Sequence, residues 1–183
     1  WTPAAVWTLV AVWIPLFFRD PARPGPRGPD LILAAADGKV VSVVVEDEPE
    51  YVKATATRVS VFMNVLNVHV NRYPVDGIVE YRQYRPGKFV NASFDKASVS
   101  NERMSLGVRC AKGPVLIRQI AGLVARRIVT DAPVGGGARQ GERLGIIRFG
   151  SRVDVFFPAG ATPRVQVGAY TVAGVTVIGE WTH

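Results

Sequence analysis

LILAAADGKVVSVVV, residues 31–45, sets two runs of apolar and β-branched residues on either side of Asp37-Gly38. Branched side chains suit a pleated, half-buried surface, and Asp-Gly is a strong short-range turn signal. The stretch reads as strands over Leu31–Ala36 and Lys39–Val45 joined by a tight turn. Working outward, Ala56–Phe62 and Val65–Val70 are strand-like, and Val75-Asp76-Gly77-Ile78-Val79 repeats the Ala36-Asp37-Gly38-Lys39-Val40 theme. Pro86-Gly87 is a turn signal. Val115–Ile128 fits either a helix or a strand pair broken at Gly122, and Gly135-Gly136-Gly137 is a loop. Arg143–Phe149 and Val153–Phe157 read as strands flanking Gly150-Ser151, and Val165–Val177 as closing strands. The expected fold is mainly β: a compact barrel-like or sandwich domain over residues 31–183. The Asp37-Gly38 element and Gly141–Ile147 resemble hairpins of biotinyl and lipoyl carrier barrels.

Composition bounds the chemistry. With 48% hydrophobic and 20% charged residues among 183, the chain is globular and long enough to bury a core. The single cysteine, Cys110, excludes an internal disulfide framework and a multi-cysteine metal site. It reads as a buried thiol within a strand. Only His69 and His183 carry imidazole, so imidazole chemistry falls mostly to His69. The net charge of +7 is uneven. Residues 101–152 hold ten Lys/Arg against three Asp/Glu, and the remainder balances at twelve of each. Such an excess suits an anionic membrane surface or a solvated basic face. It lacks the interleaved aromatics that stack nucleic-acid bases, so no nucleic-acid partner is expected.

Residues 1–18 carry no charge, and Trp1, Trp7 and Trp13 suit a membrane interface. The run is at the short end of a bilayer span, and Pro3 and Pro15 weaken a straight helix. A hydrophobic, membrane-associated helix is expected, crossing the bilayer or lying on it. Arg19, Arg23 and Arg27 follow as a cytoplasmic flank would, which places the chain at the cytoplasmic face of the cell membrane. A basic start and a small-residue cleavage site are not seen, so a signal peptide is not expected. Pro21, Pro24, Pro26 and Pro29 make residues 19–30 a stiff linker.

Six further clusters stand in order: Phe17-Phe18-Arg19-Asp20-Pro21; Ala36-Asp37-Gly38; Asn67-Val68-His69-Val70-Asn71-Arg72 with Pro74 and Gly77; Asn101-Glu102-Arg103; Gln119-Ile120-Ala121-Gly122 with Ala125-Arg126-Arg127-Ile128; and Gly141-Glu142-Arg143 through Arg148-Phe149-Gly150-Ser151-Arg152-Val153-Asp154. In this order, from about Phe17 to about Pro158, the chain resembles the short form of the phosphatidylserine decarboxylase family. That resemblance implies a proenzyme that cuts itself between Gly150 and Ser151. Ser151 Oγ would attack the Gly150 carbonyl to give an ester, and elimination and hydrolysis would leave a pyruvoyl group at residue 151. The two products, one ending at Gly150 and one of 33 residues from Ser151 to His183, would stay together as a heterodimer. The pyruvoyl group would form a Schiff base with the amine of phosphatidylserine and drive its decarboxylation to phosphatidylethanolamine, with no metal and no pyridoxal phosphate.

The resemblance also suggests supporting residues. Longer family members use an Asp-His-Ser relay for self-cleavage, and Asp37 matches its Asp. They carry two histidines where this chain has His69 and Arg72. His69 is the candidate base or a ligand of the substrate carboxylate, oriented by Asp37 if the two are adjacent. Arg72 would pair with a substrate phosphate or carboxylate, or serve as a surface ion-pair residue. Asn101-Glu102-Arg103 would position substrate or stabilise a turn. Arg126, Arg127 and Arg148 would meet lipid phosphates or solvent. Homo-oligomerisation is left open. Two rival functions are a membrane-anchored, non-enzymatic β-barrel adaptor and a pyruvoyl decarboxylase of a soluble amino acid.

Overall fold

The computed structural model describes residues 2–87, 101–122, 127–147 and 150–182. Among the described residues one helix, α1 (Thr2–Phe17), precedes fourteen strands. These are β1 (Leu31–Leu33), β2 (Gly38–Glu48), β3 (Ala54–Met63), β4 (Val70–Arg72), β5 (Gly77–Arg85), β6 (Arg103–Cys110) and β7 (Gly113–Ile120). They continue as β8 (Ile128–Thr130), β9 (Gly137–Ala138), β10 (Arg143–Ile147), β11 (Ser151–Pro158), β12 (Ala161–Pro163), β13 (Tyr170–Thr171) and β14 (Val177–Trp181). The mainly β expectation holds, in the form of a curled half-barrel. Its large sheet runs β13-β2-β3-β11-β7-β6-β5-β9, and two smaller sheets run β1-β14-β12 and β4-β10-β8.

Asp37-Gly38 is not a hairpin turn. β1 pairs antiparallel with β14 and β2 with β3, so the Asp-Gly step carries the chain from one sheet to another. Asp76-Gly77 does the same between β4 and β5. Both steps need glycine for the same reason. A Cβ on Gly38 would lie 2.1 Å from the Phe62 carbonyl oxygen, and one on Gly77 2.3 Å from that of Arg109. The two aspartates play matching parts: Asp37 accepts the Ala173 N–H at 2.7 Å and Asp76 the Gln140 N–H at 2.8 Å. The repeat visible in the sequence is therefore a repeated sheet-switching bend.

Other boundaries differ from expectation. Asn64–Asn67 is a turn, not part of a strand, because the Asn side chains bond its backbone: Leu66 N–H to Asn64 Oδ1 and Asn64 N–H to Asn67 Oδ1, each at 2.9 Å. The ambiguous Val115–Ile128 stretch is strand in β7 and enters β8 at Ile128. Cys110 is the last residue of β6 and half-buried, its Sγ 3.1 Å from the Gly113 carbonyl oxygen, rather than buried in a strand interior. Trp1, Arg126, Arg148 and Phe149 lie outside the described residues.

β11 sits at the middle of the large sheet, with β3 on one side and β7 on the other. Its alternation divides chemistry between two faces. Val153, Val155 and Phe157 enter the main core with Val59, Val61, Met63, Val115 and Ile117. Arg152 and Asp154 take the other face, where Arg152 Nε meets Asp154 Oδ1 at 2.6 Å, Arg152 Nη2 meets Ser60 Oγ at 2.8 Å, and Arg58 Nη1 lies 3.6 Å from Asp154 Oδ2. Both Arg152 and Asp154 are fully buried, so each charge depends on these partners.

The proline-rich segment after α1 does more than space the helix from the body. Arg23 pairs with Asp37 at 2.6 Å, Arg27 donates to the Gly174 carbonyl at 2.8 Å, and the Gly28 N–H donates to Gln140 at 3.0 Å. Four prolines prevent it from forming its own ladder, and its side chains lace it onto the domain. All three arginines expected to flank a membrane helix thus bond the protein, Arg19 through the Leu66 carbonyl at 3.2 Å.

Candidate active site

Ser151 opens β11 opposite Met63 of β3, on the face that Val153 continues into the core. The residue is fully buried, and its Oγ has no hydrogen-bond partner among the described residues. Leaving a buried hydroxyl unpaired costs about 1–3 kcal/mol. Gly150, just upstream, has φ +58, and a Cβ there would meet nothing within 4 Å. Glycine is favoured at this point by backbone conformation, not by crowding.

His69 reaches this bond from the loop before β4. Its Nδ1 lies 3.0 Å from the Asn67 carbonyl oxygen, and its Nε2 lies 3.3 Å from the Gly150 nitrogen. A carbonyl can only accept and a backbone N–H can only donate. Nδ1 therefore carries the proton, and Nε2 offers its lone pair to Gly150. Burial pushes the imidazole down to about 4; the Asn67 carbonyl pulls the other way, and the charge of nearby Arg19 adds a smaller push down. At neutral pH the ring is uncharged. Register supports the approach: Ile146 pairs with Val70, and the Ile147 N–H donates to the His69 carbonyl at 3.4 Å, so β10 leads toward Gly150 alongside the histidine.

A residue outside the expected site covers this histidine. Phe17, the last residue of α1, packs on the imidazole with ring centroids 4.2 Å apart and planes inclined at 32°. It is only 1% exposed, although most of α1 is open to solvent. Beneath the site runs a buried amide chain. Thr130 Oγ1 donates to Gln119 Oε1 at 2.7 Å, Gln119 Nε2 to Asn71 Oδ1 at 2.8 Å, and Asn71 Nδ2 to Met63 Sδ at 3.6 Å. Gln119 lies opposite Val153 and Met63 opposite Ser151, so the chain braces the start of β11 from both neighbouring strands. Phe17, Asn67, Asn71 and Gln119 all stand within the ordered sequence clusters, but only their spatial convergence gives them parts in the site.

The structure does not join Asp37 to His69. The carboxylate is held by Arg23 and the Ala173 N–H, and the Nδ1 position is taken by Asn67. Arg72 is also committed elsewhere. Its guanidinium bonds the Gly141 carbonyl at 3.0 Å, the Pro21 carbonyl at 2.9 Å and the Asp20 carboxylate, and so ties the proline-rich segment to β4. Asn101 is buried and donates to the Ala121 carbonyl at 2.7 Å, joining the ends of β6 and β7. Among the described residues no group of three or more His, Cys, Asp or Glu could hold a metal ion.

A β domain with an internal Gly-Ser bond, its serine buried and its glycine under a neutral histidine, defines the site. The chain's residues 11–179 match the model of the family described as phosphatidylserine decarboxylase. A phosphatidylserine decarboxylase proenzyme of Cupriavidus pinatubonensis is 48% identical over 182 residues, covering 98% of this chain and 83% of the relative. One of Ralstonia nicotianae is 51% identical over 173 residues, covering 94% and 80%. The protein is an enzyme, a decarboxylase. It belongs to the phosphatidylserine decarboxylase family.

Proposed function

We propose that this chain is a proenzyme that cuts itself between Gly150 and Ser151 and then decarboxylates phosphatidylserine at a pyruvoyl group formed from Ser151. The observation that carries this reading is the buried Ser151 Oγ, without a hydrogen-bond partner among the described residues, beside a Gly150 whose N–H is held by His69 Nε2. An uncommitted hydroxyl loses no hydrogen bond when it attacks. The side-chain-free Gly150 leaves its carbonyl open, and its left-handed backbone sets that peptide at an unusual angle.

Attack forms the Oγ–carbonyl bond and breaks the Gly150–Ser151 peptide bond, and the freed nitrogen takes a proton. Neutral His69 is suited to accept the hydroxyl proton. Its Nε2 sits one residue upstream of the nucleophile on a long 3.3 Å bond. Exchanging that bond for the hydroxyl needs a local shift only. Loss of the residue 151 Cα proton with cleavage of the ester Cβ–O bond frees the Gly150 carboxylate. Tautomerisation and addition of water then release ammonia and leave the pyruvoyl group.

That group supplies an electron sink for the pair left by departing carbon dioxide. The chain's own contribution is enclosure. His69 and residue 151 are both fully buried, so charge developing there is felt in a low dielectric. The fragment from residue 151 supplies β11 between β3 and β7, and β14 between β1 and β12. Such interleaving supports a lasting heterodimer. Membrane association is supported by the uncharged α1, whose Trp7 is 72% exposed. Among the described residues no helix is long and apolar enough to cross a membrane.

Intact-mass measurement tests the reading. The wild type should give two fragments, the smaller beginning with a pyruvoyl group at position 151 and running to His183. Ser151→Ala should remain one chain and release no carbon dioxide from phosphatidylserine. An uncut wild-type chain with full activity would overturn the proposal. Turnover of free serine or aspartate in preference to phosphatidylserine would redirect the substrate assignment.

A further inference from the structure

Asn64–Asn67 presents two apolar side chains, Val65 at 44% and Leu66 at 69% exposure, at the end of a strand. They do not stand alone. Val65 and Leu66 line one groove of about 240 Å³ with Trp13, Leu16, Phe17 and Arg19. Arg19 clamps the two sides, bonding the Leu16 carbonyl at the end of α1 and the Leu66 carbonyl of the turn at 3.2 Å. Ile14, Leu16 and Phe18 are also exposed, so the apolar surface runs from the helix end onto the turn.

The turn is built to keep its shape in an apolar setting. The Asn64 and Leu66 N–H groups are satisfied by Asn side chains, the Asn67 N–H by the Asn64 carbonyl at 3.1 Å, and the Leu66 carbonyl by Arg19. Backbone groups already paired can leave water without the usual penalty. Two exposed aliphatic side chains on a pre-shaped turn, continuous with an uncharged helix and rimmed by a lone arginine, match a phospholipid surface better than a protein partner.

We infer that the Val65-Leu66 turn is a second membrane-docking element, which inserts beside the end of α1 into a bilayer containing anionic phospholipid. The inference rests on the reading of α1 as a membrane-associated helix. It has a consequence for the site. The Asn67 carbonyl that fixes the His69 tautomer belongs to this same turn, so docking it would bring lipid headgroups to within two residues of His69.

The test uses the full chain and vesicles of equal parts phosphatidylglycerol and phosphatidylcholine, which are not substrates. Val65→Ser with Leu66→Ser should weaken vesicle partition by about tenfold, from the apolar area withdrawn. Turnover of phosphatidylserine in vesicles should fall in step, while kcat on a short-chain, monomeric phosphatidylserine stays unchanged. Leu66→Phe should retain binding. Trp7→Ser with Leu9→Ser serves as the helix control. If only the helix variant loses partition, the turn is not a membrane contact and the inference fails while the helix reading stands. If neither loses it, the helix reading fails too. Loss of activity on the monomeric substrate would make the turn a support for His69 only and would overturn the inference. So would unchanged partition with altered sedimentation, which would assign the face to a second copy of the chain.

Discussion

His69 accepts a hydrogen bond from the Gly150 N–H through Nε2, at 3.3 Å, while Asn67 holds its Nδ1. One buried imidazole thereby links the end of the α1 segment, the 64–67 turn and the bond before β11. Its protonation should be felt both in stability and in processing.

The imidazole is held down at about 4 in the fold against 6.5 for the free side chain. The unfolded chain therefore binds this proton more readily between those values. Stability should be constant from this source above about pH 6.5 and should fall by up to about 3 kcal/mol as pH drops through 4. Urea unfolding of Ser151→Ala, which stays uncut, should show that slope, and adding His69→Gln should remove it. Self-cleavage of the wild type should correspondingly lose rate with an inflection near 4, not near 6.5.

Phe17→Ala opens the cover over His69. The lost burial and cavity should cost about 3–5 kcal/mol. Water admitted to the ring should move its titration upward, toward the ordinary histidine range. Imidazole titration by NMR in the uncut Ser151→Ala background checks this. An unchanged titration would show that Phe17 does not shield the ring.

Gly150→Ala should be tolerated in space, since no atom of the described residues beyond its chain neighbours lies within 4 Å of the added Cβ. The left-handed backbone should cost about 1–2 kcal/mol. Processing followed on denaturing gels should slow but continue. Gly150→Val, with a branched Cβ, should slow it further.

Arg72→Gln should loosen the proline-rich segment, because Asp20 and Pro21 lose their anchor on β4. Trypsin cleavage after Arg27, at the Arg27-Gly28 bond, should accelerate. The KM for a short-chain phosphatidylserine should stay unchanged, and a large rise would restore Arg72 as a substrate ligand.

Arg152→Met or Asp154→Leu alone should destabilise by about 3–5 kcal/mol, because each leaves a buried charge with its partner removed. The double variant should recover part of that loss in a double-mutant cycle, with Arg58 retaining its Glu46 pairing at 3.0 Å.

Much of the architecture was legible in order along the chain. β-branched runs announced β2, β3 and β11, because a pleated surface selects such side chains locally, whereas Val115–Ile128 was open to helix or strand and pairing with β6 and β11 made its start β7. Gly150-Ser151 emerged from ordered clusters that end on it. Asp37-Gly38 shows where local reading fails. Its residues say that the chain bends, but whether the flanking strands pair with each other depends on β14 and β3, which are distant in sequence. The Asn64–Asn67 turn was missed because its apolar residues imitate a strand and its stabilising bonds come from side chains.

The sequence by itself determined the class of fold, the uncharged helix, the scarcity of imidazole and the serine at the centre of the site. These depend on residue type and near-neighbour pattern. Tertiary structure alone decided the partners: Asn67 rather than Asp37 on His69, Phe17 over its ring, Arg23 on Asp37 and Arg72 on Asp20. A side chain advertises how many hydrogen bonds and charges it must satisfy, but not which of several competent partners will reach it. That choice belongs to the register of strands far apart in the chain, and it leaves the Ser151 hydroxyl buried, with no hydrogen-bond partner among the described residues.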